Sequence, residues 1–206
     1  GMGQNCCTAW YLKVSDNKKA SYAFDWVVTS PEIIVDVLDD DFKRFLDRSQ
    51  IISKTYRAGH KYYHDIMFGH RNPALSKEDY AYFQRCVKRW KELMEAKKPI
   101  VFVTMVLNEV EKRKDVLNGF NGNIPAPRNQ SLRDFETVIA RLKQENSNCQ
   151  FLFIEQYTES DFELEINHQS AETLWIKSSV KGSNTGVQYL NELDNEIITT
   201  VFRGLN

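Results

Sequence analysis

The stretch Ile100-Val101-Phe102-Val103-Thr104-Met105-Val106-Leu107 decides the fold. Only Thr104 interrupts its apolar character, and Pro99 stands directly before it. A strand with one wet face alternates apolar and polar residues. This run does not, so it reads as an internal strand buried on both faces, as in a parallel sheet. A second run, Phe151–Tyr157 (FLFIEQY), follows a helical stretch from Ser131 to Glu145. Strand, helix, strand predicts two neighbouring parallel strands joined by a right-handed crossover. Shorter strand-like segments at Phe162–Ile166 and Thr173–Lys177 come next, then a final helix over about Val187–Phe202. The expected fold class is α/β: one domain over residues 2–206, with a mostly parallel sheet flanked by helices in a three-layer α/β/α arrangement. Gly1, ahead of Met2, reads as an expression scar.

Working upstream, the clearest helix is Lys77–Ala96. Tyr80, Phe83, Val87, Trp90, Leu93 and Met94 recur at three- and four-residue spacing, and Ser76 with Asp79 makes a capping-box-like start. Ile51–Phe68 suits strands joined by a turn at Arg57-Ala58-Gly59. Ser30-Pro31-Glu32 is a helix start, with Ile33, Ile34, Val37 and Leu38 as its apolar face. Asp39-Asp40-Asp41 is expected to open a short helix over Phe42–Asp47. Ala23–Val28 reads as a strand, and residues 9–14 as a short helix. Residues 118–130, rich in Asn, Gly and Pro, read as a loop.

Composition narrows the function. Lys plus Arg number 27 against 28 Asp plus Glu in 206 residues. A protein that neutralises phosphates along a nucleic acid normally carries a basic excess, so no nucleic-acid partner is expected. No apolar run approaches the roughly 20 residues of a membrane span, and no signal-peptide core is seen, which predicts a cytoplasmic chain without a membrane partner. Four cysteines without a CxxC pair predict reduced thiols and no structural zinc. GxGxxG, GxxxxGK[ST], HExxH and GxSxG are all absent, and no cofactor is expected. The oligomeric state is left open.

Three short constellations remain. In Gly3-Gln4-Asn5-Cys6-Cys7 a thiol precedes a helix, where free N–H groups and the macrodipole favour a thiolate. Those N–H groups, with Gln4 or Asn5, can also hold an oxyanion. The alternative is that Asn5 is a helix cap and both cysteines are small core residues. In Gly59–Asp65, His60, Tyr62 and His64 would share one face of a strand, with Asp65 opposite. A base for a cysteine, a metal site with His70, and structural histidines are the readings of this segment. In Ala23-Phe24-Asp25-Trp26, a carboxylate between large aromatics needs a partner, either a catalytic histidine, an Arg or a helix end.

Taken in order, GQNCCTAWYL, YAFDWVVTS, YYHDIMF and the Arg/Lys-rich helix running into PIVFV resemble a bacterial family of unknown function described as papain-like cysteine peptidases. The resemblance covers about the first 110 residues. It implies Cys6 as the nucleophile, His64 as the base and Asp25 or Asp65 as its orienting carboxylate. Cys7 stands where the family more often has a polar residue. The expected function is a cysteine-dependent hydrolase or acyltransferase acting on a peptide or a small amide, ester or thioester. Asn5 and Gln4 would hold the oxyanion, and Trp26 would help bind substrate. The alternative is a non-enzymatic module that binds an anionic or sugar-like ligand at the helix N-terminus after G-x-N-C.

Overall fold

The computed structural model describes residues 1–55, 57–108, 130–158, 163–180 and 184–205. In chain order, the first half contains helices α1 (Cys7–Val14) and α2 (Pro31–Asp39), the hairpin β1 (Ile51–Ser53) and β2 (Ala58–His60), and the long helix α3 (Lys77–Glu95). Strand β3 (Ile100–Asn108) follows. A 3₁₀ turn (Leu132–Phe135) runs into α4 (Glu136–Glu145), and then come β4 (Cys149–Thr158), β5 (Glu163–Ser170), β6 (Thr173–Val180) and α5 (Glu192–Arg203).

The deciding run forms β3 as expected. It pairs parallel with β4 in unbroken register from Ile100 opposite Cys149 to Asn108 opposite Tyr157. The sheet order is β3-β4-β6-β5, with β4 and β6 parallel and β5 antiparallel to β6, so the sheet is mixed. Phe102 to Leu107 are buried without a break. Alternate residues serve two cores, as the two-residue period of a strand requires. Phe102 and Val106 pack with Phe151 and Phe153 against Ile33 and Val37 of α2, Phe83 and Trp90 of α3, and Val138 and Leu142 of α4. Val103, Met105, Leu152 and Ile154 pack against Cys7 and Tyr11 of α1 and Ile198 and Phe202 of α5. Each such aromatic or aliphatic side chain contributes roughly 1.5–3 kcal/mol on burial, so this double-sided strand anchors both halves of the chain.

One edge of β3 is covered by the N-terminus. The amide N–H of Met2 donates to Val103 O (2.8 Å) and that of Gln4 to Met105 O (3.4 Å). The amides of β3 on this side are met by side chains: Met105 N–H donates to Thr8 Oγ1 (3.1 Å) and Leu107 N–H to Gln4 Oε1 (3.2 Å). An uncovered edge would expose these groups to pairing with other chains.

Helix starts follow the caps. Ser30, Ser76 and Asn191 accept from the N–H groups of Ile33, Asp79 and Asp194, and Ser131 and Asp134 form a capping box. Several local expectations are corrected. Ala23–Trp26 is a turn, not a strand, because the Asp25 carboxylate accepts from Tyr22 N–H and draws the chain round. The expected Phe42–Asp47 helix is absent: Asp41–Leu46 is a run of turns, because Asp41 and Phe42 adopt positive φ (56° and 62°). Arg57 turns the hairpin, whereas Ala58 and Gly59 already belong to β2. The last helix begins at Glu192 because Asn191, not an earlier residue, supplies its cap. The 118–130 loop except Gln130, and the start of the Phe162–Ile166 strand, lie outside the described residues. Among the described residues no helix is long and apolar enough to cross a membrane.

Candidate functional site

The three sequence constellations meet at Val28-Thr29. Val28 N–H donates to Met67 O (2.9 Å), Thr29 N–H to Gln4 O (3.3 Å), and Thr29 Oγ1 to Gly3 O (3.0 Å). His64 Nε2 lies 2.8 Å from Val28 O. The GQNCC turn and the HD segment are thus held on opposite sides of the chain leaving Asp25-Trp26.

Cys6 is the N-cap of α1 with a helical backbone (φ −77°, ψ −6°), and Asn5 Oδ1 accepts from Cys7 N–H (3.0 Å). Asn5 therefore takes an amide at the start of α1 that an anion or oxyanion would use. Gln4 is buried against the edge of β3, with its carbonyl Oε1 on Leu107 N–H. Cys6 is 4% exposed. Burial pushes its thiol up to about 12; the Lys18 ammonium draws it down by less, and the Asp25 carboxylate adds to the rise. Cys7 is buried with Tyr11 in the core shared by α1 and α5.

The HD segment differs from the expected strand. β2 ends at His60, and the chain turns back so that His60 N–H donates to His64 O (2.8 Å). A Cβ on Gly59 would lie 2.5 Å from Asp65 O, so this return needs a glycine. Each ring nitrogen of His64 has a backbone partner: Nε2 faces Val28 O, and Nδ1 accepts from Ile66 N–H (3.3 Å). That pattern places the proton on Nε2. Burial lowers the His64 pKa to about 4; the Val28 carbonyl and Asp65 oppose this fall, and His60 adds to it. His60 is likewise buried between Arg44 O (2.9 Å) and Tyr63 N–H (3.4 Å). The Asp65 side chain turns to Lys54 (3.0 Å), in a half-exposed ion pair. Among the described residues no three His, Cys, Asp or Glu side chains converge as metal ligands.

Asp25 is 2% exposed and its partner is a cation. Lys18 Nζ is 2.7 Å from Oδ2, the amino group of Gly1 is 3.2 Å from Oδ1, and Tyr22 N–H donates to Oδ2 (2.9 Å). Burial alone would raise its pKa, but the amino terminus and Lys18 overcome that and hold the carboxyl below its usual range. Of the four residues expected to act together, Asp25 and Cys6 share the field of Lys18, whereas His64 and Asp65 are tied to Val28, Ile66 and Lys54.

Trp26, at positive φ (63°), swings its ring to the other side of Lys18, whose ammonium sits 5.1 Å from the ring centroid. There a cavity of about 560 Å³ opens, lined by Lys13, Lys18, Lys19, Trp26, His70 and Arg71, with Ala20, Ser21 and Tyr82. Among the described residues no carboxylate lines it. Sequence reasoning found Trp26 and missed the cations. The signal was Lys13, Lys18 and Lys19 against the single Asp16 just before the FDW segment, with His70-Arg71 following the HD segment. No protein-family model matches the chain, and no curated protein or solved structure matches it.

Proposed function

We propose that the protein binds a small anionic ligand in the cavity between the end of α1, Trp26 and Arg71. One observation carries this reading: Lys13, Lys18, Lys19 and Arg71 share a concave wall that, among the described residues, contains no carboxylate. Low-dielectric walls focus such a field and raise the local concentration of anions. The site lies beside the FDW turn rather than at the start of α1, where Asn5 already holds an amide. Titration with pyrophosphate at low ionic strength, followed by tryptophan fluorescence, tests it. A saturable change that Trp26→Phe removes, and that salt weakens, is expected. A response that only drifts linearly would overturn the reading.

A second reading, the cysteine-dependent hydrolase, is favoured by the meeting of the three motif segments at Val28-Thr29. Cys6 would attack the carbonyl of a peptide or small amide or ester, and His64 would act as base and then acid. It requires Cys6 to ionise from a buried position and His64 to release a backbone partner. We expect iodoacetamide at about pH 7 to leave Cys6 intact in the native protein, because the thiolate is the reactive form. Denaturation should expose it. Native labelling of Cys6 at about pH 6, well below the ordinary thiol range, would instead favour the hydrolase. Under both readings the two cores on alternate strand residues are taken as a three-layer α/β/α arrangement. Four reduced, buried cysteines fit a cytoplasmic location.

A further inference from the structure

We infer that the cavity selects a phosphate monoester dianion carried on a non-aromatic, hydroxyl-bearing body, the chemistry of a sugar phosphate. This rests on the anion-binding reading above and adds the ligand's charge and shape.

Charge comes first. Leaving His70 aside, four cations line the cavity, and two of them are matched by carboxylates behind the wall: Lys18 by Asp25 at 2.7 Å and Arg71 by Asp79 at 2.7 Å. At least two positive charges remain, since Asp25 is shared between Lys18 and the amino group of Gly1. A phosphate monoester carries about −1.5 to −2 near neutral pH, whereas a carboxylate or a sulfate ester carries one negative charge.

The cations are also of two kinds. Lys18 has a side chain only 8% exposed, fixed between Asp25 and the Trp26 ring. Arg71 is fixed between Asp79 and the Tyr82 ring, 3.9 Å from its centroid. Arg71 is set in place before any ligand arrives, which lowers the ordering cost of binding, whereas the ammonium of Lys18 is buried and acts on the cavity through its field. Lys13 and Lys19 are exposed and have no ion-pair partner among the described residues. They supply the uncompensated charge.

The aromatic residues each already hold a cation on one face. Lys18 covers Trp26, the edge-on His70 lies 5.6 Å away, and Arg71 covers Tyr82. A ligand ring would have to displace a cation to stack on the faces that Lys18 and Arg71 cover. The volume of about 560 Å³ falls within the roughly 300–1,000 Å³ of small-molecule sites, so the phosphate has room for an organic body. Ser21 and the open lysines offer that body hydrogen bonds beside the apolar surface of Ala20, Trp26 and Tyr82.

Calorimetric titration of the whole chain with glucose 6-phosphate, glucose 6-sulfate and phenyl phosphate tests the inference, with pyrophosphate as the parent anion. Glucose 6-phosphate should bind at least about tenfold more tightly than the isosteric sulfate, because its second negative charge meets the lysine charge that a monoanion leaves unmatched. Phenyl phosphate should bind no more tightly than glucose 6-phosphate. Lys13→Gln combined with Lys19→Gln, both on exposed side chains, should weaken glucose 6-phosphate about tenfold with an unchanged melting temperature. Equal affinity for phosphate and sulfate esters, tighter binding of phenyl phosphate, or an unaffected double variant overturns the inference. So does binding of pyrophosphate without either ester, which leaves the anion-binding reading standing. Silence from all four compounds overturns both.

Discussion

Replacing Asp25 with alanine will destabilise the fold by about 3–5 kcal/mol, the usual cost of removing one partner of a buried ion pair. Lys18, 8% exposed, would keep its charge without the carboxylate 2.7 Å away. The amino group of Gly1 and the amide of Tyr22 would lose the same acceptor. Because that acceptor turns the chain, the Trp26 conformation and the cavity wall depend on it as well. Urea denaturation of Asp25→Ala, Lys18→Met and the double variant separates the pair from the turn. The double variant should recover part of the loss, since neighbours in one network are coupled by roughly 0.5–3 kcal/mol. A strictly additive double variant would show that the ion pair contributes nothing beyond the turn. The sign against pH is fixed by the lowered carboxyl pKa. The contribution is fully present above the ordinary carboxyl range and is lost as pH falls through the folded value.

What was legible in the sequence follows from which forces act locally and which do not. β3 and β4 could be read because burial on both faces removes the polar alternation of an exposed strand, leaving runs such as Phe102–Leu107. α3 could be read because Phe83, Val87, Trp90 and Met94 keep helical spacing, with a serine cap in front. Ala23–Val28 misled because β-branched and aromatic residues suggest a strand, while a single carboxylate captured Tyr22 N–H and made a turn. Asp41 and Phe42 misled in the same way: the aspartates suggested a helix start, yet Asp40 Oδ2 accepts from Arg44 N–H across a turn. His64 was placed by strand parity, which ended four residues early, at His60. The cavity was invisible for a different reason. Its cations come from the end of α1, the loop after it and the segment before α3, and no periodicity links those positions. The Gln4 contact with β3 was equally hidden, because a covered sheet edge leaves no mark on the covering residue's type.

Acidifying the protein from about pH 7 to about pH 4 will remove roughly 3 kcal/mol of stability through His64, from the general equivalence of one pKa unit to 1.36 kcal/mol. Burial holds the folded pKa near 4, against the usual 6.5. As pH falls below 6.5 the unfolded chain gains a proton that the folded chain refuses, so stability drops through this window and levels off only below the folded value. His60, buried with a lowered pKa, acts in the same direction and leaves a residual slope. Asp25 acts in the same direction but lower on the pH scale, below the ordinary carboxyl value. His64→Gln separates these contributions, because its amide can still donate to Val28 O but does not titrate. The variant should be less stable at about pH 7 by roughly 1–3 kcal/mol, since the acceptor for Ile66 N–H is displaced. Its stability should then change less between pH 6.5 and 4 than that of the parent, so that the two curves converge in acid. Denaturation midpoints measured across that range decide it. Parallel curves would mean that His64 takes up its proton at the same pH in the folded and unfolded chains, so that burial does not hold its pKa down. The imidazolium would then be accessible near its ordinary pH, with Nδ1 donating rather than accepting, and could serve as the acid that the hydrolase reading requires.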